Sequence, residues 1–512
     1  MKPLVVVAFV LAVAGFSTLG MATDPGPPAR VFYNLDCSEF FVGTFGPPNP
    51  TTIDLFVDAH AAAGVTDLLI NVNAQRTNYR SDVWEADWDG YDPTLGNDQP
   101  FFAGIKTERR FGPEAREGEM YKNLLALHLQ GCDYPRAMLA RAKQAQINAW
   151  LSIRMNDSHY PDQPDHPYHS TFWRSHTEWR LSAGANPAKG GWSIYGLDFE
   201  QPEVRTHYLK LVRELCERYD MDGLELDFMR FDIYFRPGRT HDGAKVMNVF
   251  IEQVRELTQA AANRRGHPVQ LAVRVPTTPW IARQRGLDAI AWARSGWVDW
   301  IVAAPFWDSV NSDIPVEQWK GLLHGTDVRV AASLEDGINS GASGRRTMKL
   351  DEMRGILLSN LRRGADASYF FNLFTGPFTS YSSDDYNQLL RNAASQSELS
   401  KLSRRHPITI TSPWDLGEPR PSAVLPYRGK HGVFRIHSGP VPDAGQKKWV
   451  ELVAQDTPHP LDVRLNGVLC PAADGLAGVY AIPDNALADG YNLVEVRAPQ
   501  ETVLEWVEIK IE

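Results

Sequence analysis

The stretch Tyr219-Asp220-Met221-Asp222-Gly223-Leu224-Glu225-Leu226-Asp227-Phe228-Met229-Arg230-Phe231 joins the end of a predicted helix to a short strand that carries acids on one face. Side chains alternate along a strand, so Leu224 and Leu226 point one way and Glu225 and Asp227 the other. If the strand belongs to a barrel, its second face is the barrel interior. Two carboxylates then look inward, with Asp227 nearest the C-terminal rim, where barrels of βα units place their functional loops. An interior carboxylate is costly unless it is paired, so these two need a reason.

Comparable apolar runs lie on both sides of this one: Val31–Leu35, Asp67–Val72 and Ala149–Arg154 before it, then Gln270–Val275, Trp300–Ala304, Val328–Ala332 and Ala367–Phe371. Segments of helical period separate them, such as Ile53–Ala63 (closed by Gly64), Arg136–Ala145 and Pro202–Tyr219. Eight βα units predict a (β/α)8 barrel over residues 31–400, with long loops after strands two and three. An open doubly wound sheet is the alternative, but no glycine-rich phosphate loop follows strand one.

Residues 405–512 read differently. Short alternating runs (Gly432–Ile436, Trp449–Val453, Asp462–Leu465, Asn492–Val496, Val503–Ile511) are divided by turn signals at Asn466-Gly467, Asp474-Gly475 and Asp489-Gly490. This pattern predicts an appended antiparallel β-sandwich. At the other end, Lys2, the run Leu4–Leu19 and the small residues up to Ala22 predict a secretory signal peptide over 1–22, a linker over 23–30, and a secreted or periplasmic chain. No later run is long enough for a membrane span. The cysteines at 37, 132, 216 and 470 show no CxxC or zinc spacing, leaving one disulfide or buried free thiols as the two readings.

The chain has 512 residues, 43% apolar and 22% charged, which excludes a disordered or rod-like protein. A net charge of −10 with no basic block argues against nucleic acid as a partner. Aromatic residues are abundant, with 15 Trp, 17 Tyr and 22 Phe, and flat rings both pack cores and stack on sugar faces.

Cleaving a glycosidic bond usually needs two carboxyl groups, one to protonate the leaving oxygen and one as nucleophile or base. Asp227 is the first candidate. Glu335, in Ala331-Ala332-Ser333-Leu334-Glu335-Asp336-Gly337 just past strand seven, is the second, with Asp336 competing; strands four and seven are expected to face each other. Strand ends supply the remaining rim residues expected to bind substrate: Asp36, Asn73, Arg154, Asn156, His159, Glu225, Arg230, Arg274, Trp307 and Asn372. His159, His166, His169 and His176 crowd one loop, but their spacing matches no compact metal site, so neither a metal nor a cofactor is expected. Trp84, Trp88, Tyr91, Trp173 and Trp307 follow strands and are read as sugar-stacking platforms, whereas Trp292, Trp297 and Trp300 are read as core.

Three segments resemble the family called glycosyl hydrolase-like 10, secreted bacterial (β/α)8 proteins: Gly196-Leu197-Asp198 with Pro202-Glu203-Val204-Arg205 and the block Arg218–Asp227; Tyr79-Arg80-Ser81; and His176-Thr177-Glu178-Trp179. The resemblance spans about residues 50 to 375 and implies a barrel with glycosidase activity. Where the family shows a doubled Asp, a Tyr-rich turn and a proline, this chain has Asp227-Phe228-Met229-Arg230-Phe231. The pattern Asp222-Gly223 to Asp227 is also similar to chitinase-like barrels, but the acid expected two residues later is Met229. The resulting expectation is a secreted glycoside hydrolase of a polysaccharide or oligosaccharide. The alternatives are a glycan-binding barrel without turnover and a metal-dependent carbohydrate esterase, which would need the loop histidines to converge.

Overall fold

The computed structural model describes residues 29–36, 40–41, 47–111, 117–182, 192–306, 310–339, 344–373, 381–409, 425–443, 445–455 and 461–512. The expected leader, most of the linker, Cys37 and Trp307 lie outside the described residues. Eight parallel strands close a barrel: β1 (Arg30–Leu35), β2 (Asp67–Asn71), β3 (Asn148–Arg154), β4 (Gly223–Asp227), β5 (Gln270–Pro276), β6 (Trp300–Ala304), β7 (Arg329–Leu334) and, after a hairpin of β8 (Gly337–Asn339) and β9 (Arg345–Thr347), β10 (Ala367–Phe371). All eight expected barrel strands are present, with ends shifted by no more than a residue or two. Helices between them start where the sequence caps them. Asn49 accepts the Thr51 and Thr52 backbone N–H groups at 2.8 and 3.2 Å, and Asp133 accepts that of Arg136 at 3.2 Å.

Inside the barrel, Phe32, Leu69, Trp150, Ala272, Trp300, Val302, Ala331, Ala367, Tyr369 and Phe371 form one apolar plug. Every barrel strand contributes to it except β4. The inward positions of β4 are Gly223, which lies under Trp150 so closely that a Cβ would sit 2.1 Å from its ring, and the acids Glu225 and Asp227. Leu224 and Leu226 join the outer core against the helices, as the alternation requires.

Residues beyond the barrel form one curled antiparallel sheet of β11 (Arg404–Pro407), β12 (Tyr427–His437), β13 (Lys448–Gln455), β14 (Asp462–Leu465), β15 (Val468–Leu469), β16 (Val479–Ala481) and β17 (Tyr491–Ile511). The two runs expected as separate strands, Asn492–Val496 and Val503–Ile511, are halves of β17. β12 runs along both halves, β14 pairs with the first, and β13 and β11 pair with the second. The intervening Ala498–Glu501 stays extended and is absorbed by a register shift opposite Gly429 and His431. Asn466 and Gly467, both at positive φ (51° and 84°), make the two-residue turn between β14 and β15.

A second irregularity has larger consequences. Val453 pairs with Trp506 and Ala454 with Leu504, so Glu505 is an extra residue that flips the alternation of β17. Leu504, Val507, Ile509 and Ile511 fill the sheet's core, while Trp506 packs with the barrel's core. The sheet docks through β11 on the barrel helix Leu350–Arg362. Gly355 permits that approach, since a Cβ there would lie 1.8 Å from the Arg405 carbonyl oxygen. Cys132, Cys216 and Cys470 are free thiols. Among the described residues no helix is long and apolar enough to cross a membrane.

Candidate active site

β4 and β5 pair in register, so Asp227 and Arg274 stand side by side at the C-terminal mouth, with Arg154 of β3 on the other side of Asp227. Arg274 Nη1 donates to Asp227 Oδ1 at 3.1 Å, and its Nη2 donates to Glu335 Oε1 at 3.4 Å. The guanidinium lies 3.7 Å from the centre of the Phe371 ring. All three charged groups are buried, with exposures of 1% (Asp227), 1% (Arg274) and 3% (Glu335). Asp227 Oδ1 also accepts the Met229 backbone N–H at 2.8 Å, which fixes the carboxylate plane. Glu335 and Asp336 part company here. Glu335 turns to Arg274, whereas Asp336 turns to the hairpin and accepts from Arg345 at 2.9 Å.

One layer below, Glu225 is fully buried and accepts from Ser152 Oγ at 2.7 Å, Asn34 Nδ2 at 2.9 Å and the Tyr369 hydroxyl at 2.7 Å. Burial, and then the charge of Asp227, push its carboxyl up to about 7, against the opposing pull of those hydrogen bonds and of Arg274. The strand opposite β4 in the ring is β10, which carries Tyr369, and not β7 as expected. β7 stands three places away, and the length of Arg274 makes the connection.

A second charged group flanks the first. Arg154 reaches Asp36 at 2.6 Å and Asp157 at 3.5 Å. Asp157 also meets His159 Nδ1 at 2.5 Å and Arg230 Nε at 3.8 Å. Arg230 Nη2 lies 3.3 Å from His159 Nε2; since arginine can only donate, Nε2 accepts and Nδ1–H donates to Asp157. Burial alone would raise the Asp157 carboxyl, but His159, Arg154 and Arg230 hold it well below the usual range.

Asp36, Arg154, His159 and Arg230 form one charged group and Arg274, Asp227 and Glu335 another at the same end of the barrel, with Glu225 one layer below. Asn73 and Asn156 sit at the same end, but their amides are engaged by backbone: Asn73 bridges the N–H and C=O of Arg154 (both 3.1 Å), and Asn156 clamps Leu197 and the Ile233 carbonyl. Asn372 follows β10 at φ +50°, the left-handed region that asparagine adopts more readily than other non-glycine residues, and its Oδ1 is buried without a hydrogen-bond partner among the described residues.

Sequence reasoning missed Asn34, Ser152 and Tyr369, whose inward placement the alternation of β1, β3 and β10 already implies. It also missed Asp87, 3% exposed in the loop after β2. Among the described residues no ion pair or side-chain hydrogen bond engages the Asp87 carboxyl, which burial pushes up to about 7 while Arg76 and Arg154 oppose.

Three of the five expected aromatic platforms are corrected by the structure; Tyr91 stays partly buried, and Trp307 lies outside the described residues. Trp84 stacks on His207 at 4.2 Å, whose other neighbour Phe172 lies at 3.8 Å; Trp88 stacks on His128, and Trp173 lies between His169 (4.0 Å) and Arg180 (3.4 Å). Trp84, Trp88 and Trp173 are buried, so no open face remains for a sugar. His166, His169 and His176 serve aromatic packing, whereas His159 belongs to the charged group around Asp157. His169 and His176 stack on Trp173 and Trp179, and among the described residues no three His, Cys, Asp or Glu side chains come together as a metal-ligand set.

No family model and no curated protein matches the chain. Among solved structures it is similar to α-L-fucosidase isoenzyme 2 from Paenibacillus thiaminolyticus (TM-score 0.42, 12% identity, covering 72% of this chain and 49% of that one). It is also similar to the GH36 α-galactosidase AgaA from Geobacillus stearothermophilus (TM-score 0.40, 12% identity, 92% of this chain and 56% of that one). A third is the PgaB (BpsB) glycoside hydrolase domain from Bordetella bronchiseptica (TM-score 0.42, 12% identity, 72% and 99%). The chain spans about half the length of the first two. Each of the three carries the name of a glycosidase or a glycoside hydrolase domain, but with no family matched, the functional assignment of this chain rests on the geometry of its own barrel mouth.

Proposed function

We propose that the chain is a secreted or periplasmic glycoside hydrolase acting on a polysaccharide or its oligosaccharides, with Asp227 and Glu335 as the catalytic carboxyl pair. The observation that carries this reading is that two buried carboxylates from β4 and the end of β7 meet over one guanidinium at the open end of a (β/α)8 barrel. Asp227, oriented by Arg274 and the Met229 N–H, acts as the anion at the anomeric carbon, either attacking it or taking a proton from the attacking water. Glu335, entering the step in its protonated form, gives its proton to the leaving oxygen as the glycosidic C–O bond breaks, and Arg274 stabilises the carboxylate that remains. Arg274 holds both acids in register, and Arg154, Arg230 and Asn372 supply hydrogen bonds to sugar hydroxyls. The resemblance to glycosyl hydrolase-like 10 proteins, carried by the Arg218–Asp227 block, supports the same reading.

A glycan-binding barrel without turnover is the second reading, favoured by the same guanidinium because it occupies both acids. Release of reducing ends from a panel of glycans separates the two. The hydrolase releases them and loses that release in Asp227→Asn, whereas the binder retains a glycan in affinity electrophoresis and releases nothing.

A further inference from the structure

Between the barrel and the C-terminal sheet lies a cavity of about 370 Å³, lined in part by Arg346, Lys349, Arg405, Glu451, Trp506 and Glu508. Its sheet-side wall results from the extra residue Glu505 in β17, which turns Trp506 and Glu508 out of the sheet's core. The volume exceeds that of a few waters, each about 30 Å³ of liquid, and enters the range of small-molecule sites.

Glu508 is the informative residue. It is 1% exposed; Oε1 accepts from Arg405 Nη1, the Trp506 indole acts on the carboxyl as a weak donor, and Oε2 makes no hydrogen bond of good geometry among the described residues. A buried polar atom left unmatched costs about 1–3 kcal/mol and calls for an explanation. Most neighbouring charges are paired: Arg346 with Glu352 at 2.6 Å, Arg405 with Glu451 at 2.9 Å and with Asp351 at 2.8 Å, and Lys510 with Glu451 at 3.3 Å. Burial, with Glu451 and Glu352 adding and Arg405 and the Trp506 hydrogen bond opposing, pushes the Glu508 carboxyl up from its ordinary value. The wall thus offers many donors and acceptors and little net charge. Hydroxyl groups, each donor and acceptor at once, suit such a wall better than an ion does.

We propose that this junction cavity is a second carbohydrate-binding site that takes a neutral sugar unit, separate from the barrel mouth. The choice of a sugar over another neutral polyol rests on the glycan reading of the barrel.

The test uses the full chain carrying Asp227→Asn, so that the probe is not consumed, in native affinity electrophoresis through xylan, β-glucan, galactomannan or starch, with polygalacturonate as the anionic comparison. The expected result is retardation by at least one neutral polymer, weakened about tenfold or more in apparent Kd when Glu508→Gln is added. Val453→Trp is expected to do the same without touching the buried carboxyl, because Val453 is a half-exposed strand residue lining the cavity. Retardation unchanged by both variants, retardation by polygalacturonate alone, or none by any polymer overturns the proposal. Turnover of short oligosaccharides by the chain with Asp227 intact should be unaltered by either variant. A protein that cleaves nothing yet loses retardation in both variants keeps this site and loses the hydrolase; one that cleaves, with retardation indifferent to both, does the reverse.

Discussion

Tyr369, on the eighth barrel strand, donates its hydroxyl to Glu225, on the fourth, at 2.7 Å across the full width of the barrel. That bond, with those from Ser152 and Asn34, surrounds a carboxyl group held fully out of water directly below Asp227. Because the folded Glu225 carboxyl is pushed up from 4.5 to about 7, the native state binds the extra proton between those values. Stability therefore falls as pH rises from about 4.5 to about 7 and levels off above, by an amount on the order of 3 kcal/mol. Glu225→Gln is expected to flatten this dependence, as read from urea midpoints at either end of the window.

Arg274 is expected to be the most sensitive position in the barrel. Arg274→Met leaves Asp227 and Glu335 buried without their shared partner, and removing one side of a buried ion pair costs roughly 3–5 kcal/mol. Thermal unfolding should record that loss together with loss of turnover. A variant of unchanged Tm would mean that water reaches the two acids.

The two acids should separate by leaving group. Glu335→Gln is expected to slow cleavage of natural glycans roughly 10²–10⁴-fold, the usual contribution of a positioned acid. It should spare aryl glycosides whose phenol leaves without a proton. Asp227→Asn should lose both activities while keeping glycan binding. The opposite pattern in paired assays would exchange the roles.

Acid should loosen the two long loops. Burial lowers His207, stacked between Trp84 and Phe172, to about 3 and His169, stacked on Trp173, to about 4. Below the ordinary histidine value of 6.5 the unfolded chain takes up protons that these folded rings refuse. The stability they contribute is therefore complete above about 6.5 and declines as pH falls toward their folded values. Limited proteolysis of the loops should quicken over that range. His207→Phe, which keeps a flat ring in the stack, should reduce the effect.

Asp87 gives a further check on the site's extent. Asp87→Asn is expected to lower activity while leaving the free energy of unfolding within about 1 kcal/mol of the parent, because no ion pair among the described residues is broken. Full activity would place Asp87 outside the chemistry.

What the sequence determined by itself was whatever depends on short-range periodicity. Eight alternations of strand and helix, the inward pair Glu225 and Asp227 and the turn at Asn466-Gly467 follow from backbone geometry over a few residues. Tertiary structure decided what each side chain meets. Glu335 and Asp336 are neighbours in sequence, yet one reaches Arg274 and the other Arg345, because β7 ends between the barrel mouth and a hairpin. Trp84 and Trp173 follow strands, as a sugar platform would, but the two long loops fold onto each other and onto the helix bearing His207, closing their faces. A single extra residue, Glu505, reverses the faces of β17 and leaves Glu508 at a junction that no local pattern predicts. In each case the partner is distant in sequence, and its position is set only when the barrel closes and the sheet docks against it.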